Sequence, residues 1–252
     1  MPLSPRQRRF RHTLALTALL ALAAGTVNVV ALEAFGALVA NVTGHATQLG
    51  RSGGAADSAG LFMRLLWILA FVGGAAASTI LMRPAQRRGW HFVYAGPLLL
   101  ELLTIIVAAA LGRLAMNDPW LTEEVVALLL LAMGLQNAMV TFASGAVIRT
   151  THLTGIMTDI GMNLGRLVSG DQGTERRETL IRLGLHGTIA GSFIGGAAAG
   201  TFLWRYFGFE TLTLAIVPIL AAVLYDIWLA RAEHRDPEHF ASKRGDDFHR
   251  TE

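Results

Sequence analysis

Long apolar stretches alternate with short charged ones along this chain, and that alternation leaves few folds open to it. Six stretches, at about 13–35, 60–82, 91–114, 121–146, 183–204 and 210–230, stay apolar over the length needed for a membrane span. An α-helix rising about 1.5 Å per residue needs roughly 20 residues to cross a hydrocarbon layer about 30 Å thick. Most charged residues fall in 1–12, 83–88, 171–182 and 231–252, between or beyond those stretches. The apolar set makes up 53% of the chain and charged residues 15%, with a mean hydropathy of +0.47. A water-soluble globule of that composition would leave much apolar surface wet, which excludes the soluble enzyme and the disordered chain. The absence of cysteine removes disulfide frameworks, thiolate metal sites and cysteine nucleophiles. The fold class expected is an all-α polytopic membrane protein with six transmembrane helices.

Net charge is +3 and the pI about 9.9, but the positions of the basic residues argue against a nucleic-acid partner. With six spans and the N-terminus inside, 17 of the 21 Lys and Arg residues fall on the inner side. The outer side holds only Arg51, Arg64, Arg113 and Arg205. That asymmetry follows the positive-inside rule. It predicts a multi-pass protein of a bacterial inner membrane with both termini cytoplasmic and the lipid bilayer as its main partner. Residues 6–24 resemble a secretory signal, with an Arg-rich start and an apolar run ending in small residues. The internal repeat argues against that reading, because the first span has a counterpart deep in the chain.

Four blocks recur in the same order. Gly25-Thr26-Val27-Asn28 matches Gly134-Leu135-Gln136-Asn137 at a shift of 109, which Gly36 and Gly145 keep. Thr43-Gly44, Thr47 and Gly50 match Thr154-Gly155, Thr158 and Gly161 at a shift of 111. Phe71-Val72-Gly73-Gly74-Ala75-Ala76-Ala77 matches Phe193-Ile194-Gly195-Gly196-Ala197-Ala198-Ala199 at 122, and Pro97 matches Pro218 at 121. The expected organisation is a basic N-terminus (1–12), a first three-span repeat (13–115), a second (116–231) and a disordered cytoplasmic tail (232–252). Because three is odd, the copies must enter the membrane from opposite sides. Inverted repeats of this kind recur in secondary transporters, which bind near the midplane between the halves. The two Phe-x-Gly-Gly-Ala-Ala-Ala faces are expected to pack on each other, within one chain or across a homodimer.

Each copy's first span runs into a polar, Gly-rich stretch, Val39 to Gly53 and Val147 to Gly170. Read as helices, these put Thr43, Thr47 and Gly50 on one face, and Thr154, Thr158 and Gly161 on another. Two readings fit equally. One is a bent, re-entrant helix weakened at Gly44 and Gly155, whose first amides hold an anionic group. The other is a small-residue stripe where two helices cross. Asn28 and Asn137 lie inside apolar spans, either bridging helices or touching a ligand; Gln136 sits beside Asn137. Glu101 is placed near the centre of the third span as a candidate proton carrier, since ionisable groups at that depth are costly. Asp159 is a second candidate and is expected to pair with Arg149 or Arg166. Glu33 and Asp226 are read as reaching the interface, and Arg64 and His186 as snorkelling or capping residues. His45 and His152 flank the Thr-Gly pairs at non-equivalent positions, too few ligands for a metal site. No motif for a cofactor or a metallopeptidase is present, so no cofactor is expected.

The segments Gly25-to-Gly50 and Gly134-Leu135-Gln136-Asn137-Ala138 through Arg149-Thr150-Thr151-His152-Leu153-Thr154-Gly155 resemble the hallmark motifs of the YoaK-like family of bacterial membrane proteins. The resemblance runs over roughly 14–230 and implies a six-span inner-membrane protein, without an activity, since the family is one of unknown function. Asn28 stands where the family pattern suggests Asp, and His45 where Asn is common, which puts proton coupling at the first position in doubt. The expected function is a non-enzymatic small-solute permease. Its candidate binding residues are Asn28, Thr43, Gly44, Thr47, Gln136, Asn137, His152, Thr154, Gly155 and Thr158. Glu101 and Asp159 are the candidates for coupling. A non-transporting scaffold or stress sensor, working through the loop 171–182 and the tail, is the alternative. An intramembrane serine protease built on Ser144 is a distant third, because the last apolar stretch, 210–230, offers no histidine base.

Overall fold

A computed structural model describes residues 5–88, 93–143 and 153–235. Among these, eight α-helices and one 3-10 turn account for nearly all the chain, with no strand. The helices are α1 (Pro5–Phe35), α2 (Thr43–Gly54), α3 (Ser58–Arg87), α4 (Ala95–Ala115), α5 (Pro119–Ala143), α6 (Leu153–Val168), α7 (Gly173–Phe207) and α8 (Thr213–Arg235). The 3-10 turn, Gly208–Leu212, joins α7 to α8. Five stretches are long and apolar enough to span a bilayer: Leu16–Phe35, Ser58–Arg87, Ala95–Ala115, Pro119–Phe142 and Gly173–Trp228. The last covers 56 residues and contains most of α7 and α8 with the turn between them. The chain is a multi-pass membrane protein.

Helices overrun the apolar stretches where polar residues continue the same hydrogen-bond ladder. α7 begins at Gly173, ten residues before its expected start, because Thr174 to Arg182 is polar yet helical. Hydropathy marks where lipid begins, whereas the helix begins where a left-handed residue, Gly173 at φ +56°, lets the chain turn. Similarly, Gly208 at φ +54° ends α7, so the expected last span starts as a 3-10 turn. α8 reaches Arg235, and the rest of the expected tail lies outside the described residues.

The helices pair by small residues. α1 lies mainly on α7 and α3 mainly on α5. A Cβ added at Gly25 would run into the Phe193 carbonyl, and one at Gly196 into the Leu22 carbonyl. At the other crossing, a Cβ at Gly134 would meet the Phe71 carbonyl and one at Gly74 the Leu131 carbonyl. Backbones this close need glycine, since dispersion and polar contacts, not water exclusion, hold helices together in lipid. This corrects the expected packing of the two Phe-x-Gly-Gly-Ala-Ala-Ala faces on each other: each packs on the Gly-x-x-Asn segment of the other copy. Along α1 and α7, contacts advance from Leu22–Gly196 to Val29–Gly200, so the two run parallel.

The bundle has two distinguishable ends. At one, Phe35 at the end of α1 meets Phe209 (centroids 5.7 Å), and Arg113 at the end of α4 pairs with Glu210 at 2.6 Å. Arg64 and Trp67, early in α3, lie beside Glu123 at the start of α5, on this same end. At the other end the Tyr94 amide, just before α4, donates to Asp226 late in α8 at 3.2 Å. The α2–α3 turn therefore lies at the end where α7 finishes, and the α6–α7 turn at the end where α7 starts.

Candidate functional site

Past α1 the chain doubles back. Gly36 takes φ +65°, which frees it to reverse direction, and residues 37–42 run without helix to α2. The Ala40 amide donates to Asn28 Oδ1 at 2.8 Å, twelve residues behind it. From Asn28 to Phe35 the helix rises roughly 10 Å, so the return to Ala40 brings the chain back to the level of Asn28. Ala37, Val39 and Ala40 in this return are buried, and α2 starts just beyond it, at Thr43, packed on α3. The break expected at Gly44 is instead at Gly36–Val42, and Gly44 sits in the first turn of an unbroken α2.

One face of α2 is held to α3. His45 is buried, its Nε2 lies 2.6 Å from the Leu38 carbonyl, and its ring meets Trp67 edge-on at 5.0 Å. Arg64 stacks over the same Trp67 at 4.1 Å. α6 lies on α7 in the corresponding way, with Ile156 where α2 has His45 and with Asn163 buried one face-repeat later. Here the tie is between a carboxylate residue and an imidazole: Asp159 Oδ2 stands 3.8 Å from His186 Nε2. Asp159 thus pairs with His186, not with Arg166, which approaches Asp171 at 3.9 Å; Arg149 lies outside the described residues. Arg64 and His186, read as snorkelling or capping residues, each contact a neighbouring side chain, Trp67 and Asp159.

Thr43, Gly44, Thr47, Thr154 and Thr158 are exposed or nearly so, on the side of each helix away from the bundle, and Gly155 is half-buried. Thr47 and Thr158 each donate their hydroxyl to the carbonyl four residues back, Thr43 and Thr154, at 3.0 Å. α2 touches α3 and α6 touches α7, on opposite flanks, so the fold does not bring the two threonine faces together. Asn28 spends its side-chain oxygen on Ala40, and Gln136 donates across the core to the Leu20 carbonyl at 2.6 Å. Asn137 Oδ1 is buried with no partner among the described residues. His152 and Ser144 lie outside the described residues. α8 runs past the expected stretch and carries His234 in its last turn, a residue that reasoning on 210–230 left out.

Glu101 occupies the second turn of α4, closer to the helix start than the mid-span position expected of it. It is 0% exposed and neither carboxyl oxygen has a hydrogen-bond partner among the described residues. Ser78 on α3, also 0% exposed with an unbonded Oγ, is a polar residue that the sequence reading passed over. A signal for it existed: extending the shift of 122 sets Ser78 against Gly200, and a hydroxyl in place of a glycine at a helix crossing calls for an explanation. Thr26, which donates to the Gly196 carbonyl across the α1–α7 crossing at 3.2 Å, was legible only as a repeat position.

Apolar spans, close glycine crossings and buried polar groups define the class as an integral membrane protein with several spans. A family described as "Protein of unknown function (DUF1275)" matches residues 16–225, and the chain belongs to it. The YoaK-like resemblance read from the Gly-x-x-Asn and Thr-Gly segments is a resemblance to this same family. No curated protein and no solved structure matches the chain.

Proposed function

We propose that this protein is a small-solute permease of the bacterial inner membrane, built as two inverted three-span repeats with both termini in the cytoplasm. In this reading α1, α3 and α4 form one repeat, and α5, α7 and α8 the other, the 56-residue stretch counting as two spans divided at the 3-10 turn. α2 and α6 are re-entrant half-helices, one entering from each side. One observation carries the reading. Gly25 with Phe193 and Gly196 with Leu22 are matched, at the shifts found in the sequence, by Gly134 with Phe71 and Gly74 with Leu131. A pseudo-two-fold axis in the membrane plane produces that reciprocity. The return of the chain to Asn28 supports a half-helix whose first amides open at membrane depth.

Since the threonine faces lie on opposite flanks of one chain, the solute path is completed by a second copy, and the protein acts as a homodimer. Backbone and hydroxyl groups at that depth must line a wet cavity or be covered by protein. Purified protein in liposomes, tested for uptake across a panel of small solutes, checks this. Flux that falls at least tenfold in Asn137→Ala and Thr154→Ala supports the assignment, and flux unchanged in both removes the residues from the path.

A second reading is favoured by the use of Asn28 and Gln136 in structural bonds: a scaffold or stress-sensing module that moves nothing. Truncation after Arg235 separates the two, since a scaffold loses its phenotype and a permease keeps it.

A further inference from the structure

The two sides of the bundle carry different buried polar groups. Ser78, Glu101, Thr104, Gln136 and Asn137 lie on α3, α4 and α5, which pack on one another. The repeat shifts pair Ser78, Glu101 and Gln136 with Gly200, Ala222 and Val27 on α7, α8 and α1, while Thr104 and Asn137 fall opposite the polar Tyr225 and Asn28. The groups are also near one level. Glu101 is fourteen residues before the end of α4 and Asn137 eighteen after the start of α5, in helices joined by a short turn. That difference is about 6 Å along the bundle. Gly74 meets Leu131 and Leu135, and Ser78, one turn further along α3, is level with the segment that follows Leu135. Pro97, Leu98, Glu101, Thr104, Ile105, Ala108, Gly112 and Ala115 make up the buried face of α4, and Glu101 is at its middle line.

We propose that Glu101 is a proton-exchange site: its carboxyl gives its proton to water that reaches the α3–α4–α5 half, and takes one back when that half closes. An ionised carboxylate with no partner is too costly in a dry helix interface, so the closed bundle holds the neutral acid. A neutral acid kept for packing alone would donate its O–H to something, and among the described residues nothing accepts it. Packing needs no acid at the equivalent site, where Ala222 is buried on α8, a helix packed on α1 and α4. On opening, the O–H bond breaks toward water and leaves carboxylate and hydronium, and closing reverses the transfer. Charged or titratable residues on the elements packed against α4 are Arg64, Arg83 and Arg87 on α3, Glu123 and Glu124 on α5, Glu210 in the 3-10 turn, and Tyr225, Asp226, Arg231, Glu233, His234 and Arg235 on α8. Among the described residues, none is hydrogen-bonded to Glu101. The site deepens the permease reading by naming its coupling ion, yet it stands whether or not a solute is carried.

Infrared difference spectra of the whole protein in lipid vesicles, wild type against Glu101→Gln, test it without any solute. Wild type should show a carboxylic-acid C=O band that the variant lacks entirely. The band should move to lower frequency in D2O and disappear reversibly as pH is raised. Glu101→Asp, expected to keep the band, serves if the glutamine variant fails to insert. A missing band, or one that neither shifts in D2O nor titrates, would make Glu101 a sealed structural group and overturn the proposal. Absence of flux across the solute panel with a normal exchanging band would count against the permease reading alone.

Discussion

The α1–α7 and α3–α5 crossings share one backbone design and differ in their side chains. Each brings a glycine from one helix onto a carbonyl of the other, in both directions. Around that shared contact, the α1–α7 crossing carries Thr26 bonded to Gly196, and Gly200 seated against Val29. Its partner crossing carries Leu135, and Ser78 with no bond for its hydroxyl. Helix spacing is thus set by residues the two copies have in common, while groups that hydrogen-bond or titrate differ between them. A duplicated scaffold can keep its geometry while the polar groups around it change.

The largest expected effects break the shared part of the comparison. Gly25→Ala and Gly134→Ala each push a methyl into a backbone carbonyl that cannot rotate away, so both should cost toward the upper end of the about 1–3 kcal/mol typical of overpacking. Thermal unfolding in detergent, followed by size exclusion, should show similar losses. A loss at one position alone would mean that the crossings are not equivalent. Next in size, Asn28→Ala leaves the buried Ala40 amide without its acceptor, a cost of about 1–3 kcal/mol. Hydrogen exchange should rise over residues 36–42, whereas Asn28→Asp, which keeps an acceptor oxygen, should retain most of the protection.

Smaller effects sharpen the differences between the crossings. Ser78→Gly installs the residue found at the equivalent site and removes an unbonded hydroxyl, so stability should change by less than about 1 kcal/mol. Gly200→Ser should be the more damaging exchange, because the Val29 side chain fills that space. Least of all should come from Arg113→Ala, which breaks an exposed pair with Glu210 and should leave the unfolding temperature unchanged within error.

Reading the sequence located the helices better than the contacts between them, for a physical reason. Apolar length and charge position report where lipid is, so the reading gave six spans, where the structure has five long apolar stretches, the last covering both α7 and α8. Internal repetition marked Gly25, Gly74, Gly134 and Gly196 as positions that matter, although not that each meets a carbonyl of the other copy. The fold-back was hidden because its cause, Gly36 in a left-handed conformation with Asn28 accepting from Ala40, links residues that no periodicity connects. The threonine faces looked convergent because they repeat, yet repetition about an axis can carry two faces to opposite flanks. Asp159 was visible as an ion-pair partner, but its choice of His186 depends on how α6 lies along α7.

Because the chain holds no cysteine, single-cysteine labelling reads out the inverted arrangement directly. Gly54→Cys beside the α2–α3 turn and Ser169→Cys beside the α6–α7 turn are suited to it, as Gly170 itself is held at φ +106°, where a side chain is strained. A membrane-impermeant maleimide applied to intact spheroplasts should modify the first and spare the second until the membrane is opened. Modification of both, or of neither, from outside would put the two turns on one side of the bilayer and contradict the arrangement of two halves in opposite orientations.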